Sequence, residues 1–357
     1  MITGVVVLVV VGLFQLAFII LLLVFLGVRR EIDRARKSAF EGKRLEVSEP
    51  LSSWLTGSDG PERFVASVRA FPGMTALTFT GNLVRTTIPR AERDVLGKAL
   101  RDEPWIERAL SGASSRRWGR RLDAARALAL VGRPDDRAML TSLLNDSRPV
   151  VAVAAVSALP RIADASFVDD LLQRFIVLPD VVRMYAQDTL NEMRDLVEPA
   201  LMKRLQTVAL PRALARWIEL AGALGLPGAL DRAALLSDHS DAGVRGAVAR
   251  ALRKIPSQHS ADVLALLLRD EEAEVRALAA HSLGELASPA AIPALVEAAH
   301  DRSWVVRYRA MLAIAQLGEQ GRTAVRALRS DSDRYVVDMA TLIAGLGDGA
   351  LFELEEA

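Results

Sequence analysis

The chain has no cysteine in its 357 residues, which excludes a disulfide scaffold, a thiolate nucleophile, an Fe–S cluster and Cys-ligated zinc. Histidine is nearly as scarce. The four present, His239, His259, His281 and His300, form no HxxxH pair and sit beside no carboxylate at ligand spacing, so no metal is expected. Neither sign of charge dominates: 45 Lys+Arg face 44 Asp+Glu, and a net charge of +1 gives no field for gripping a polyanion. Phosphate loops and G-x-S-x-G elbows are absent, and the run GLGDG at 345–349 follows a helical pattern, where it reads as a helix stop. These absences argue against an enzyme: no catalytic residue, cofactor or small-molecule substrate is evident. Aromatics reach only 5% while apolar residues make up 51%, so the apolar content is mainly Ala, Leu and Val, which favours close-packed helices.

The first feature present is an apolar run. Ile2 to Val28 holds no charge and only Thr3 and Gln15 as polar side chains. At about 1.5 Å per residue it is long enough to cross a hydrocarbon layer of about 30 Å, so residues 1–28 are expected to form a single transmembrane helix. A cleaved signal peptide fits less well, because no basic residue precedes the run and no small-residue cleavage pattern follows it. Gln15, near mid-span, is a candidate for a hydrogen bond to another membrane helix. Basic residues crowd the far side: Arg29, Arg30, Arg34, Arg36 and Lys37 begin a stretch, 29–44, of net charge +4 that suits anionic lipid headgroups. The positive-inside rule then places the short N-terminus outside and the bulk of the chain in the cytoplasm of a bacterial-type inner membrane.

After the basic segment, residues 45–60 mix Pro, Ser, Gly and acids and read, with 29–44, as a linker or docked loop over 29–60. Residues 61–103 are expected to form an N-terminal helical cap, with 74–88 read as irregular helix and loop because TALTFT and LVRTTI are β-branched. The decisive signal follows. Arg121, Ala152, Arg183, Leu214, Arg245, Arg276 and Arg307 recur every 31 residues, and an eighth unit starts at Val336. Apolar or small residues recur three, seven and ten positions on, as in Ala279, Leu283 and Leu286, which is one face of a helix. A helical face repeated at fixed stride means stacked hairpins: an all-α solenoid of about eight units over 104–347, with a short tail at 348–357. Prolines near the starts of first helices (Pro104, Pro134, Pro199, Pro227, Pro289) and second helices (Pro149, Pro179, Pro211) punctuate it. Leu214 in place of Arg and Trp217 in place of a small residue predict that stacking bends mid-array.

The segments DEEAEVRALAAHSLGEL (270–286) and DRSWVVRYRAMLAIAQLG (301–318) resemble HEAT repeats, of the short class also found in phycobilin lyases, and the resemblance extends over about 105–347. It implies a right-handed α-solenoid in which an Asp six residues before the Arg, as Asp270 with Arg276 and Asp301 with Arg307, ties neighbouring turns. It also implies a concave face built from the outward side of the second helices. Tyr185, Asp188, Glu192, Arg216, Glu219, Arg250, Lys254, His281, Glu285 and Arg309 occupy that side and alternate in sign, as charge-matched recognition of a folded protein requires. The expected function is a membrane-anchored scaffold or adaptor, an accessory subunit of an envelope, polysaccharide-synthesis or signalling complex, whose partner is a membrane protein or membrane-associated assembly. Two alternatives stand beside it. One is nucleic-acid binding through the arginines around Trp118 (Arg116, Arg117, Arg120, Arg121, Arg126), disfavoured because one patch makes few phosphate contacts. The other is a lyase-like enzyme, disfavoured because aromatics for a pigment pocket are few.

Overall fold

The computed structural model describes residues 46–71, 73–207 and 210–345. The expected membrane helix with Gln15, the headgroup-facing Arg29, Arg30, Arg34, Arg36 and Lys37, and the tail at 348–357 lie outside these. Among the described residues no helix is long and apolar enough to cross a membrane, and the regular secondary structure is entirely helical. The chain divides after Arg133 into two compact units.

The first unit contains helices at 46–55, Pro61–Val68, Gly73–Thr86, Arg90–Leu100, Pro104–Leu110 and Trp118–Val131. Two readings of this region need correction. The segment read as a linker or docked loop is helical over 46–55, and it buries Val47, Leu51 and Trp54, whose indole stacks on Phe64 at 5.7 Å. The β-branched segment is a regular helix, Gly73–Thr86, because Ala76, Leu77 and Thr80 share a buried face and Phe79 stacks on Phe71 at 4.8 Å. Propensity differences of a few tenths of a kcal/mol per residue yield to that burial. Glu103, 4% exposed, precedes the next helix without capping it, because Arg69 holds both its oxygens at 2.7–3.0 Å.

The second unit is a run of helical hairpins. Its second helices begin at Pro149, Asp180, Pro211, Ala242, Ala273 and Trp304, a stride of 31 residues, and then at Arg334. The first helices are Arg137–Leu144, Ala165–Phe175, Arg194–Arg204, Pro227–Ala234, Gln258–Leu267, Ile292–Ala298 and Gly318–Leu328. Proline at the first turn opens several of them, where its missing N–H leaves no bond unmade. Pro199 departs from its expected place: it lies inside Arg194–Arg204, which starts five residues earlier than the proline suggested.

Between Pro211–Ala223 and Ala242–Leu252, and between Ala273–Glu285 and Trp304–Gln316, the second helices pack on one another along their length. Residue size at the crossing points permits this. A Cβ on Gly222 would lie 2.8 Å from the Cα of Ala251, and one on Gly284 would lie 2.9 Å from the Cα of Ala313. Packing is looser between Ala242–Leu252 and Ala273–Glu285, where the same register pairs Arg253 with Ser282. It nearly vanishes between Asp180–Asn191 and Pro211–Ala223, where the register pairs Asn191 with the buried Leu220. The opening thus adjoins the helix carrying Leu214 and Trp217. Trp217 does not merely enlarge the seam: its ring is buried and its Nε1 donates to the carbonyl of Leu172 at 2.9 Å, in the first helix of the preceding hairpin.

Candidate functional site

The periodic arginines do not pair as expected. Arg276 donates to the backbone carbonyls of Asp270 and Glu271 at 2.8 and 3.0 Å, so the Asp six residues before it supplies a carbonyl and not a carboxylate. The carboxylate comes from the next repeat: Arg245 forks onto Asp270 at 2.6 and 2.8 Å, and Arg276 onto Asp301 at 2.7 and 2.9 Å. Each Asp also accepts the N–H two residues on, Glu272 or Ser303, which fixes the turn. Burial raises the pKa of Asp270, but the hydrogen bonds from Arg245 and the Glu272 N–H, with the charges of Arg245 and Arg276, outweigh it and hold the carboxyl below its ordinary value. Asp301 behaves in the same way. These pairs are structural: 5–7% exposed at Arg245 and Asp270, they join repeat to repeat. An open groove of about 820 Å³ lies above them, lined by Arg269, Asp270, Arg276, Glu297, Asp301 and Arg302 among others. Its charges are largely committed to one another.

The surface expected to recognise a partner has two parts. In the later repeats its charges close on themselves. Arg216 and Arg250 share Glu219 at 3.0 and 2.8 Å. Glu285 gathers His281 at 3.1 Å, Lys254 at 3.9 Å and Arg253, a residue that sequence reasoning passed over because its register position holds glycine at Gly222 and Gly284. Arg309 is half-buried one repeat further on. Tyr185 and Asp188 lie on the Asp180–Asn191 helix and Glu192 at its end, all exposed, where the following second helix has drawn away.

The Asp180–Asn191 helix carries an exposed stripe. Val181, Met184, Tyr185 and Asp188 fall on one helical face, and Met184 is 58% exposed. Gly246 and Ala277 hold the same register position and are buried; Gly246 lies under Leu278 of the next helix. Val177 and Leu210, on the turns before the two helices, are 80% and 79% exposed. Arg183 turns inward, donating to the carbonyl of Leu178 at 2.5 Å and pairing with Asp180. Burial pushes its pKa down, as do the neighbouring charges of Arg216 and Arg212 across the seam, with Glu219 opposing. The start of the seam therefore collects three arginines around exposed apolar side chains.

Among the described residues no three His, Asp or Glu converge as a metal site would. His239 accepts the Asp241 N–H at 3.0 Å, and His300 bridges the Val296 carbonyl and Asp331 at 3.0 and 3.1 Å. Around Trp118, Arg121 donates to the Ser115 and Arg116 carbonyls, so at least one member of that basic spot is directed into its own turn.

Comparison with known families matches residues 261–344 to HEAT repeats. No curated protein matches the chain. Similar solved structures include an engineered protein, 21% identical over 79% of this chain and 87% of that one, with a TM-score of 0.34. Human deoxyhypusine hydroxylase in complex with glycerol is 20% identical, covers 82% of this chain and 97% of its own, and has a TM-score of 0.27. The complex of CpcE and CpcF of phycocyanin lyase from Nostoc is 20% identical, covers 67% and 94%, and has a TM-score of 0.30. Such likenesses carry no argument about activity, and a repeat array by itself does not decide between scaffold and enzyme.

Proposed function

We propose that the chain is a membrane-anchored scaffold that holds a membrane-associated protein complex through the outward side of its second helices. The observation that carries this reading is the stripe Val181–Met184–Tyr185–Asp188, an exposed apolar and charged helical face whose Met184 position is buried at Gly246 and Ala277 in later repeats. The HEAT-repeat match at 261–344 supports it, because such arrays present extended surface to other proteins. The apolar run at 2–28 and the basic residues after it support an inner-membrane anchor, a cytoplasmic repeat array and contact with anionic headgroups.

The test is affinity capture of the full chain from detergent, with the recovered proteins identified by mass spectrometry. A stoichiometric membrane protein that is lost with Tyr185→Ala/Asp188→Lys, at unchanged helicity, is the expected result. Capture that ignores these substitutions removes the stripe from the reading, and recovery of salt-sensitive nucleic acid in place of protein overturns it. Because the chain lacks cysteine, single Cys substitutions at exposed positions such as Ser332 report its side of the membrane by labelling in intact spheroplasts.

A further inference from the structure

The seam between Asp180–Asn191 and Pro211–Ala223 has a definite chemistry. At its start stand Arg183, paired with Asp180, Arg216, paired with Glu219 at 3.0 Å, and Arg212, which is exposed and makes no hydrogen bond or ion pair among the described residues. Beside them stand Met184, Tyr185 and Leu210, each at least 49% exposed. Further along, Asp188 is exposed, whereas Glu219, at the same register position on the next second helix, is held by Arg216 and Arg250. An occupant must bring acid to the arginines and apolar side chains to the stripe.

One segment of this chain has that composition. No basic residue follows Arg334, and residues 351–356 read Leu-Phe-Glu-Leu-Glu-Glu. Four helix layers separate Pro211–Ala223 from the last described helix, Arg334–Ala344, which is on the order of 36 Å at about 9 Å per layer. Residues 351–356 follow Gly345 by six to eleven positions, so only a fully extended path of about 20–40 Å would bring them near their own seam. A neighbouring molecule's tail has no such constraint. We infer that the seam is a docking site for the acidic, apolar 349–357 segment of a second copy of this chain, with Glu353, Glu355 and Glu356 meeting the arginines and Phe352 and Leu354 meeting Met184 and Tyr185. The contact is head-to-tail, so it links copies into an open series and not a closed pair. Anchors in one bilayer would raise the effective concentration of tails at seams. The inference extends the recognition reading to a second copy as occupant.

The test is titration of the full chain, purified in detergent, into a fluorescein-labelled peptide of residues 346–357, read by anisotropy. The expected result is saturable binding, weakened about tenfold or more by Arg212→Glu/Arg216→Glu and by Met184→Ser/Tyr185→Ser, and weakened again when salt is raised. The second pair alters exposed side chains alone, so it tests the site even if the arginine variant unfolds. Sedimentation of the intact chain should show concentration-dependent association that truncation after Gly345 removes. Absence of saturable binding up to about 1 mM peptide, a threshold beyond ordinary specific affinity, overturns the site. Binding of the peptide by a full chain that stays monomeric at every concentration overturns the second copy as occupant. Neither outcome depends on a third protein, so capture of a membrane partner can succeed or fail independently.

Discussion

Two neighbouring stretches of the second unit carry the same 31-residue pattern and pack differently. From Pro211 to Leu317 glycine or alanine lies at the tightest crossings, and from Ala242 on an arginine of one repeat forks onto an aspartate of the next. Between Asp180–Asn191 and Pro211–Ala223 both devices are missing. The crossing pair is Asn191 and Leu220, and Arg183, at the ladder register, pairs with Asp180 of its own helix while the sequence has Val208 at the position of the ladder aspartate. The next joint, between Pro211–Ala223 and Ala242–Leu252, has Leu214 and His239 in place of the arginine and the aspartate and still packs closely across Gly222 and Ala251, so the small residue at the crossing is the device that matters most. Stacking is therefore set by a few interface residues per repeat, and the period alone does not guarantee it.

The largest expected effect tests the ladder. Arg245→Ala leaves Asp270 buried among neighbours without its forked partner, and should cost about 3–5 kcal/mol in chemical denaturation, with hydrogen exchange increasing first in the two repeats it joins. Arg183→Ala, at the same register in the open region, removes a pair whose aspartate is 90% exposed, and should cost only about 1–2 kcal/mol from lost packing and a carbonyl bond. Equal losses would break the comparison. The ladder also has a pH signature. Since Asp270 and Asp301 are held below their ordinary values when folded, their contribution is complete above about pH 4, the unfolded value, and disappears as pH falls through the folded ones. Acid should loosen the 242–317 stretch more than the open seam, read by exchange at successively lower pH.

Next in size is the crossing point. Gly284→Ala places a methyl 2.9 Å from the Cα of Ala313, and although the Gln316 side chain can swing away, that backbone cannot. The helices must separate, at a cost of about 1–3 kcal/mol measured by denaturation. Asn191→Ala, at the matching position of the open seam, should change stability by less than about 0.5 kcal/mol because nothing packs tightly against that exposed residue. A destabilisation there as large as at Gly284 would mean that the seam is closed in solution.

Sequence alone made the repeats legible, since Arg, Ala and Leu at fixed offsets mark the second helices, and those helices start on the expected stride. The arginine's partner was not legible. Asp270 is six residues from Arg276 along the chain, yet its carboxylate serves Arg245, because the turn directs Asp270 across the repeat boundary while its carbonyl faces back. The helices at 46–55 and Gly73–Thr86 were hidden by Pro50 and by threonines, whose local preferences lost to burial of Trp54, Leu77 and Phe79. The ridge residues were correctly placed on second helices, but whether each is open or paired depends on the spacing of the next helix, which the residues at 191 and 220 control from outside the ridge.

The smallest effect concerns where the ladder stops. Arg307 donates to the carbonyls of Asp301 and Arg302 as its predecessors do, but it forms no ion pair among the described residues; its guanidinium lies 5.3 Å from the centre of the Tyr335 ring. The aspartate of the next turn, Asp331, is taken instead by His300, one residue before the Asp301 that Arg276 holds. Acceptance by the Val296 carbonyl raises the His300 pKa, burial lowers it, and Asp331 with Asp333 raises it further, so the net shift is upward. A permanent charge pair has been replaced at the end of the array by one that titrates. The sign follows from the raised value: the contribution is complete below about pH 6.5 and is lost as pH rises through the folded pKa. With His300 39% exposed the effect is small, under about 1 kcal/mol. His300→Gln should thus lower the denaturation midpoint at pH 5.5 and leave it nearly unchanged at pH 8.5, with faster exchange at low pH confined to Gly318–Ala344. A loss of equal size at both pH values would show that His300 acts there by packing alone.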